Sequence, residues 1–243
     1  MRGSRTSFRL SAALFLLAAC RAAPAAAEVG LSASLFSDER FRGYSLSAER
    51  PVAMFDFAYD DPSGFYADSV ATAVFRQGGD PAPLGVQLSG GYAKRLSSGT
   101  TFDFGITHSS YSHYSSGGLQ KSYSEIYAGI AHGVLSSRVF FSPHYFQKDH
   151  WTAYGEINAN LSPASKWNLE GHIGMLVPLR TPSATTYHTN LDWRLGVSRE
   201  LGRLSLHAAW VGHARAPEPF ASRPLNTSRP SRKALIFGLT VAL

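Results

Sequence analysis

The sequence has little of what stabilises a small disulfide-rich fold or crosses a membrane as a helix. Its single cysteine, Cys20, can form no disulfide within the chain, and no cysteine pair has metal-ligand spacing. After the N-terminal segment, no apolar run reaches the roughly 20 residues that a spanning helix needs. No segment combines a 3.6-residue apolar period with helix caps. These absences leave an all-β fold.

The N-terminal segment has the pattern of a secretory signal peptide, in which a basic region precedes a short apolar run and small residues. The three parts are Arg2, Arg5 and Arg9, then residues 10–19, then Ala25-Ala26-Ala27. We predict cleavage after Ala27, which gives residues 1–27 as the signal peptide and 28–243 as one domain. Residues 17–20 also resemble a lipoprotein box, and in that alternative Cys20 would become a lipidated first residue.

Removing the predicted signal peptide changes the charge of the chain. The whole sequence has a formal net charge of +6, but residues 1–27 hold four arginines and no acid, so about +2 remains. The basic balance therefore gives little support to nucleic-acid binding, and we predict no nucleic-acid partner. The remaining 216 residues are enough for one large β-domain.

Alternating apolar and polar residues predict strands, because successive side chains of a strand point to opposite faces. The last segment, 234–243, runs to the final residue with a uniformly apolar face. It suits a barrel whose last strand closes against the first, although an edge strand of a soluble sandwich has the same pattern. The twelve predicted strands are 29–36, 51–59, 65–75, 84–96, 100–108, 123–132, 138–146, 151–161, 167–176, 187–199, 204–211 and 234–243.

The links between these strands alternate in length. The short links, rich in turn-forming residues, are 60–64, 97–99, 133–137, 162–166 and 200–203. The others are 37–50, 76–83, 109–122, 177–186 and 212–233, which are long, and 147–150, which is short. This rhythm is typical of outer-membrane barrels, whereas Greek-key sandwiches rarely keep it. We predict an all-β, antiparallel, up-and-down transmembrane β-barrel of about 12 strands with both termini periplasmic.

Several short motifs resemble those of the TorF-type porins, a proteobacterial family of outer-membrane barrels. The motifs are residues 37–45 with Pro51-Val52-Ala53, then 64–67, 90–92, 102–105 and 123–129, and more weakly 169–174 and 192–197. The resemblance covers essentially the whole mature chain and implies an outer-membrane location and a channel role. At residues 108–114 the chain departs from the family, which tends to have an aromatic-rich Tyr-Pro stretch there.

Charged residues of the predicted strands are expected inside the barrel, because an Arg or Lys that faces lipid at mid-bilayer costs about 2–4 kcal/mol. Asp56, His188 and His207 fall on these inward faces. The residues that we expect to line a pore are Asp103, Glu156, Glu170, His172, Asp192 and Arg194. A lumen about twelve strands round can leave a narrow aqueous path. The alternative is an ion-paired interior that holds the barrel rigid.

The last long link is basic. It contains one acid, Glu218, and four prolines that keep it out of the sheet. Its basic residues are Arg215, Arg223, Arg229, Arg232 and Lys233, together with His213. On the outer side of the membrane the link would contact lipopolysaccharide phosphates, and folded inward it would bias a pore toward anions. A solvated loop is the third possibility.

The predicted function is that of an outer-membrane porin through which small hydrophilic solutes or ions diffuse passively, with no enzyme activity, cofactor or metal. Its expected partners are outer-membrane lipids, lipopolysaccharide and the barrel assembly machinery. One alternative is a sealed structural or adhesive barrel that binds a partner or lipopolysaccharide through its long loops. Another is a lipid ester hydrolase, because His113-Tyr114-Ser115 with Glu125 resembles the His–Ser–Glu set of outer-membrane lipid A deacylases.

Overall fold

A computed structural model describes residues 27–112, 122–182, 188–214 and 231–243. These residues form a closed antiparallel barrel of twelve strands with a two-stranded hairpin inside one link. The barrel strands are β1 (Glu28–Phe36), β4 (Val52–Asp60), β5 (Phe65–Phe75), β6 (Pro81–Arg95), β7 (Thr101–Tyr111), β8 (Ser122–His132), β9 (Leu135–Ser142), β10 (Trp151–Ala164), β11 (Trp167–Arg180), β12 (Asn190–Leu201), β13 (Leu204–His213) and β14 (Lys233–Ala242). The hairpin consists of β2 (Arg40–Phe41) and β3 (Tyr44–Ser45). Among the described residues, no helix is long and apolar enough to span a membrane.

The barrel closes where the last strand meets the first. β14 pairs with β1 from Ser32 opposite Ala242 to Phe36 opposite Gly238. Every other barrel strand pairs with its neighbours in chain order, so the sheet has no free edge. The predicted closure by the C-terminal strand and the predicted up-and-down topology are confirmed.

The two faces of the sheet differ in polarity, as the alternation predicts. On β14 the outward Phe237 is 59 % exposed, whereas the inward Ile236 is 4 % exposed. Large exposed apolar side chains occur on the outer face of every barrel strand, while the buried residues include many charged and hydroxyl groups. An apolar outer face and a partly polar interior are typical of barrels that lie in lipid.

The structure extends β7, β10 and β11 to Tyr111, Ala164 and Arg180, beyond their predicted ends, and it makes four further corrections. The link predicted at 76–83 is only 76–80, because Pro81 pairs with Phe75 and begins β6 beside a register shift. The turn predicted at 133–137 shortens to 133–134, because Leu135 already pairs with His132. His188, expected to point inward, is exposed because β12 begins only at Asn190.

The fourth correction concerns the strand predicted at 138–146, which ends at Ser142. Phe146 has a φ of +56°, a left-handed conformation that a strand does not accept. Its ring and that of Tyr145 turn inward and are buried. The link predicted at 147–150 is therefore 143–150, so that the long–short rhythm is restored at this position.

The link after β1 folds into the lumen instead of extending beyond the barrel. Its residues Leu46 and Phe41 are buried in one apolar cluster with wall residues such as Val52, Leu84 and Ile236. The hairpin thereby fills part of the barrel interior. A polar cavity remains on its other side.

Candidate functional site

The candidate site is the cavity of about 110 Å³ that remains in the lumen beside the hairpin. Hairpin residues 40–43 form one side of it, and residues of β6 to β13 form the other. Its charged lining residues are Arg40, Arg42, Glu125, Glu156, Glu170, His172, Asp192 and Arg194. The volume holds several waters and is well below the roughly 300–1,000 Å³ of a site for a drug-sized ligand.

The turn of the hairpin has an unusual conformation for its residues. Arg42 and Gly43 have φ values of +48° and +77°, as in the tight turns that favour Asn or Gly at both central positions. Gly43 is required here, because a Cβ atom at this position would lie 2.4 Å from the carbonyl oxygen of Gly212. An arginine at positive φ is strained, and such strain persists where the surroundings impose it.

The Arg42 side chain crosses from the turn to the barrel wall. Its Nη2 donates hydrogen bonds to both carboxylate oxygens of Glu125 on β8, at 2.8 and 2.7 Å. Only 5 % of the Arg42 side chain and 3 % of the Glu125 side chain are exposed. The guanidinium carbon lies 4.0 Å from the ring centre of Tyr154 and 4.7 Å from that of Phe41. Charge pairing and cation–π contacts therefore fix this side chain.

The base of the hairpin is held by a second ion pair. Arg40 donates from Nε to Asp38 at 2.7 Å, and the same carboxylate accepts from the hydroxyls of Ser45 and Ser47. Arg40 also donates to the carbonyl oxygen of Ser231, which joins the hairpin to the last link. The hairpin is thus tied to itself and to the wall by buried polar contacts.

A chain of hydrogen bonds crosses β10, β11 and β12 on the opposite side of the cavity. Tyr154 donates to Asp192 at 3.2 Å, and Nε2 of His172 lies 2.9 Å from Asp192 Oδ1. Nδ1 of His172 lies 2.7 Å from the amide oxygen of Asn158, whose nitrogen donates to Glu156. Both ring nitrogens of His172 therefore face oxygen atoms of neighbouring strands.

The remaining charged groups differ in how closely they pair. Arg138 donates to Asp103, which also accepts from the hydroxyl of Tyr66 at 2.5 Å. Arg194 and Glu170 are 3.9 Å apart, which is beyond hydrogen-bond distance. The lumen therefore contains arginines that are bonded closely to carboxylates, together with the looser pair of Arg194 and Glu170.

A family model described as a bacterial protein of unknown function, Gcw_chp, matches residues 21–237. The chain belongs to the Gcw_chp family. No curated protein matches it.

The Gcw_chp chain is similar in structure to solved outer-membrane porins. KdgM porin superposes with a TM-score of 0.54 at 9 % identity, covering 88 % of this chain and 99 % of that chain. NanC porin superposes with a TM-score of 0.59 at 8 % identity, covering 87 % of this chain and 98 % of that chain. At these identities the similarity shows the fold alone.

The structure brings most of the predicted pore residues of this Gcw_chp chain to one cavity. Five of the six line it: Glu156, Glu170, His172, Asp192 and Arg194. Asp103 is also inward but almost completely buried beside Arg138. The inward placement of Asp56 and His207 agrees with the alternation, since both are buried and bond to Ser32 and Thr240 respectively.

The basic link is only partly within the described residues, because Arg215, Arg223 and Arg229 lie outside them. Arg232 donates to the carbonyl oxygen of Ala214 at 3.4 Å. Lys233 begins β14, and its Nζ lies 5.9 Å from the ring centres of Trp193 and Trp210. His113 and Ser115 of the hydrolase hypothesis also lie outside the described residues, whereas Glu125 is paired with Arg42. The described residues contain no group of three or more His, Cys, Asp or Glu side chains that could hold a metal ion.

Sequence reasoning missed the central role of the hairpin. Arg40 and Arg42 were part of a resemblance motif but not of the predicted lumen, because their segment was assigned to an outer loop. The available signal was the run Phe41-Arg42-Gly43-Tyr44, an X-Gly turn between aromatic residues, preceded by the charged residues Asp38, Glu39 and Arg40.

Proposed function

We propose that this chain is an outer-membrane channel through which ions and small hydrophilic solutes diffuse passively. The observation that carries the proposal is a charged cavity, large enough for several waters, inside a closed barrel whose outer face is apolar. A charged interior is favourable when water enters it, because water solvates the groups that lack a close partner. The porin fold of the structural neighbours and the TorF-type resemblance support the same function.

We base the proposed orientation on the link lengths. Outer-membrane barrels usually have short periplasmic turns and longer extracellular loops. The turns 133–134, 165–166 and 202–203 would then face the periplasm together with both termini, and the links 143–150, 181–189 and 214–232 would face outward. In this orientation the hairpin enters the lumen from the extracellular side.

A second candidate is a sealed barrel that binds lipopolysaccharide or another partner through its long links. The observation that favours it is the degree of internal pairing, since Arg40, Arg42 and Arg138 each bond to a buried carboxylate. Arg232 and Lys233 would supply part of the basic surface for phosphate. We infer no hydrolase activity, because Glu125 is occupied by Arg42 and is not available to orient a histidine. Unchanged lipid A processing in a His113→Ala variant would agree with this.

Single-channel recording in planar bilayers tests the proposal. Purified, heat-modifiable protein is expected to give discrete openings in KCl. Asp192→Asn or Arg194→Ala is expected to shift the ion preference, because both side chains line the cavity. No current from correctly folded wild-type barrel would contradict the channel and favour the sealed barrel.

A further inference from the structure

The hairpin is anchored firmly on one side of the lumen. Leu46 belongs to the apolar cluster that it shares with the wall residues Val52 and Leu84. The Arg40–Asp38 pair at its base is buried, and Arg40 bonds to the carbonyl oxygens of Gly43 and Ser231 at 3.0 and 2.9 Å. The backbone at the turn packs against β13 so closely that only glycine fits at position 43. The backbone of the hairpin is thus a fixed part of the barrel interior.

Arg42 extends from this fixed backbone across the cavity to the facing wall. Its guanidinium ends on Glu125 of β8 and lies over Tyr154 of β10, so that a single side chain joins the hairpin to two strands. The left-handed φ of Arg42 is strained for a residue with a side chain, whereas glycine would adopt it freely. A strained residue that spans the lumen indicates that the side chain itself has a role there.

We propose that Arg42 is a crossbar that sets the size limit of the lumen, so that the native channel passes inorganic ions and water-sized solutes but not sugars. This inference rests on the proposed channel function and names its substrate class. The cavity beside the crossbar is only about 110 Å³, in agreement with so small a limit. The crossbar is held in place because both of its ends, the turn of the hairpin and the Glu125 carboxylate on the wall, are buried.

The decisive variant is Arg42→Gly. It removes the crossbar while giving the turn the residue that its φ favours, so the hairpin keeps its path. Ala48→Gly is the matched control, because Ala48 has a similar φ of +56° in the same link but is exposed and does not line the cavity. Single-channel conductance in KCl and liposome swelling with glucose and with raffinose are measured for the three proteins.

The wild type and Ala48→Gly are expected to conduct KCl and to admit neither sugar. Arg42→Gly is expected to raise the conductance about two-fold or more and to admit glucose, because the constriction of a pore controls its flux. If Arg42→Gly fails to give a heat-modifiable barrel, Glu125→Ala replaces it. That variant frees the far end of the crossbar, and an increased, fluctuating conductance is expected.

The outcomes separate this inference from the proposed function. A silent wild type with a conducting Arg42→Gly would show that Arg42 closes the lumen, and would overturn both the passive channel and the size limit. Equal conductance of the wild type and the crossbar variant would overturn the crossbar and leave the channel standing. Passage of glucose or raffinose through the wild type would also overturn the size limit. Silence of all the variants would overturn both.

Discussion

At the scale of single residues, Arg42 and Glu125 form an ion pair that is almost completely removed from solvent. Breaking a buried pair by removing one partner is costly because the other charge stays buried, whereas replacing both with apolar groups is often close to neutral. The pair is therefore expected to fix the position of the Arg42 side chain more than to add net stability.

Glu125→Ala is expected to lower the free energy of unfolding by about 3–5 kcal/mol, the range found for a buried charge that loses its partner. The double variant Arg42→Leu with Glu125→Leu is expected to recover most of this loss. Urea unfolding in detergent micelles, followed by the change in electrophoretic mobility, measures both. A double variant that is no more stable than Glu125→Ala would contradict this account of the pair.

Gly43 offers a second test at this scale. Gly43→Ala is expected to destabilise the protein by more than the about 1–3 kcal/mol of local backbone strain alone, because its Cβ would collide with the backbone of Gly212. Gly99→Ala is the control, since Gly99 has a φ of +84° and no atom lies within 4 Å of the position that a Cβ would occupy. Equal losses in the two variants, again measured by urea unfolding, would show that the close approach to β13 is unimportant.

At the scale of the element, the hairpin carries a pH-sensitive group. Burial, and then the neighbouring Asp38, raise the pKa of Glu39 from 4.5 to about 8, with Asp56 adding to the shift and Arg194 opposing it. An acid whose pKa is raised in the folded state binds more protons there than in the unfolded state. Its contribution to stability is therefore present below pH 4.5 and is lost as the pH rises toward 8.

The hairpin is accordingly expected to loosen as the pH rises from about 4.5 to about 8. Amide hydrogen exchange of residues 37–51 in the wild type, corrected for the intrinsic effect of pH, is expected to be faster at pH 9 than at pH 4.5. Glu39→Gln is expected to abolish the difference, because its side chain keeps the shape without the charge. A difference of the same size in Glu39→Gln would rule out Glu39 as its source.

The link 143–150 is expected to respond to pH in the opposite sense. Burial lowers the pKa of His150 in this link, so its protonation on acidification destabilises the folded link. Faster hydrogen exchange of residues 143–150 at pH 5 than at pH 7, corrected in the same way, is the expected result. In a His150→Asn variant, whose side chain does not titrate in this range, this difference is expected to be absent.

The elements differ in how well the sequence predicts them. β5 has the predicted bounds 65–75, because a barrel strand repeats the same contrast between lipid and interior at every second residue. β2 and β3 are two residues each, too short for any period to appear. Alternation placed His172 and Asp192 on inward faces, but their contact depends on the register of β11 against β12, which no local pattern contains.

At the scale of the whole molecule, the distribution of charge in the lumen favours cations. Arg40, Arg42 and Arg138 are each neutralised by a bonded carboxylate, whereas Glu156 receives its hydrogen bond from the amide of Asn158. Carboxylates that are not directly bonded to a cation attract cations into a pore. The inner wall would then oppose any preference for anions that the basic link 214–232 provides.

A cation preference is therefore expected in a KCl gradient, and Glu156→Gln is expected to move the reversal potential toward zero. Asp61→Asn serves as the control, because Asp61 is a carboxylate on a short turn that bonds to Ser63 and does not line the cavity. A reversal potential that shifts equally in both variants would assign the preference to the mouth of the barrel instead of the cavity.

Because β1 pairs directly with β4, the segment that fills part of the lumen is not needed to complete the wall of the barrel. Phe36 lies opposite Val52 at the very ends of the two strands, so the whole segment between them leaves and re-enters the sheet at one place. A two-residue turn could join the strands there without altering any other pair in the barrel. Replacing the segment between Phe36 and Val52 would therefore change the lumen from constricted to open. The outer surface of the barrel would stay the same.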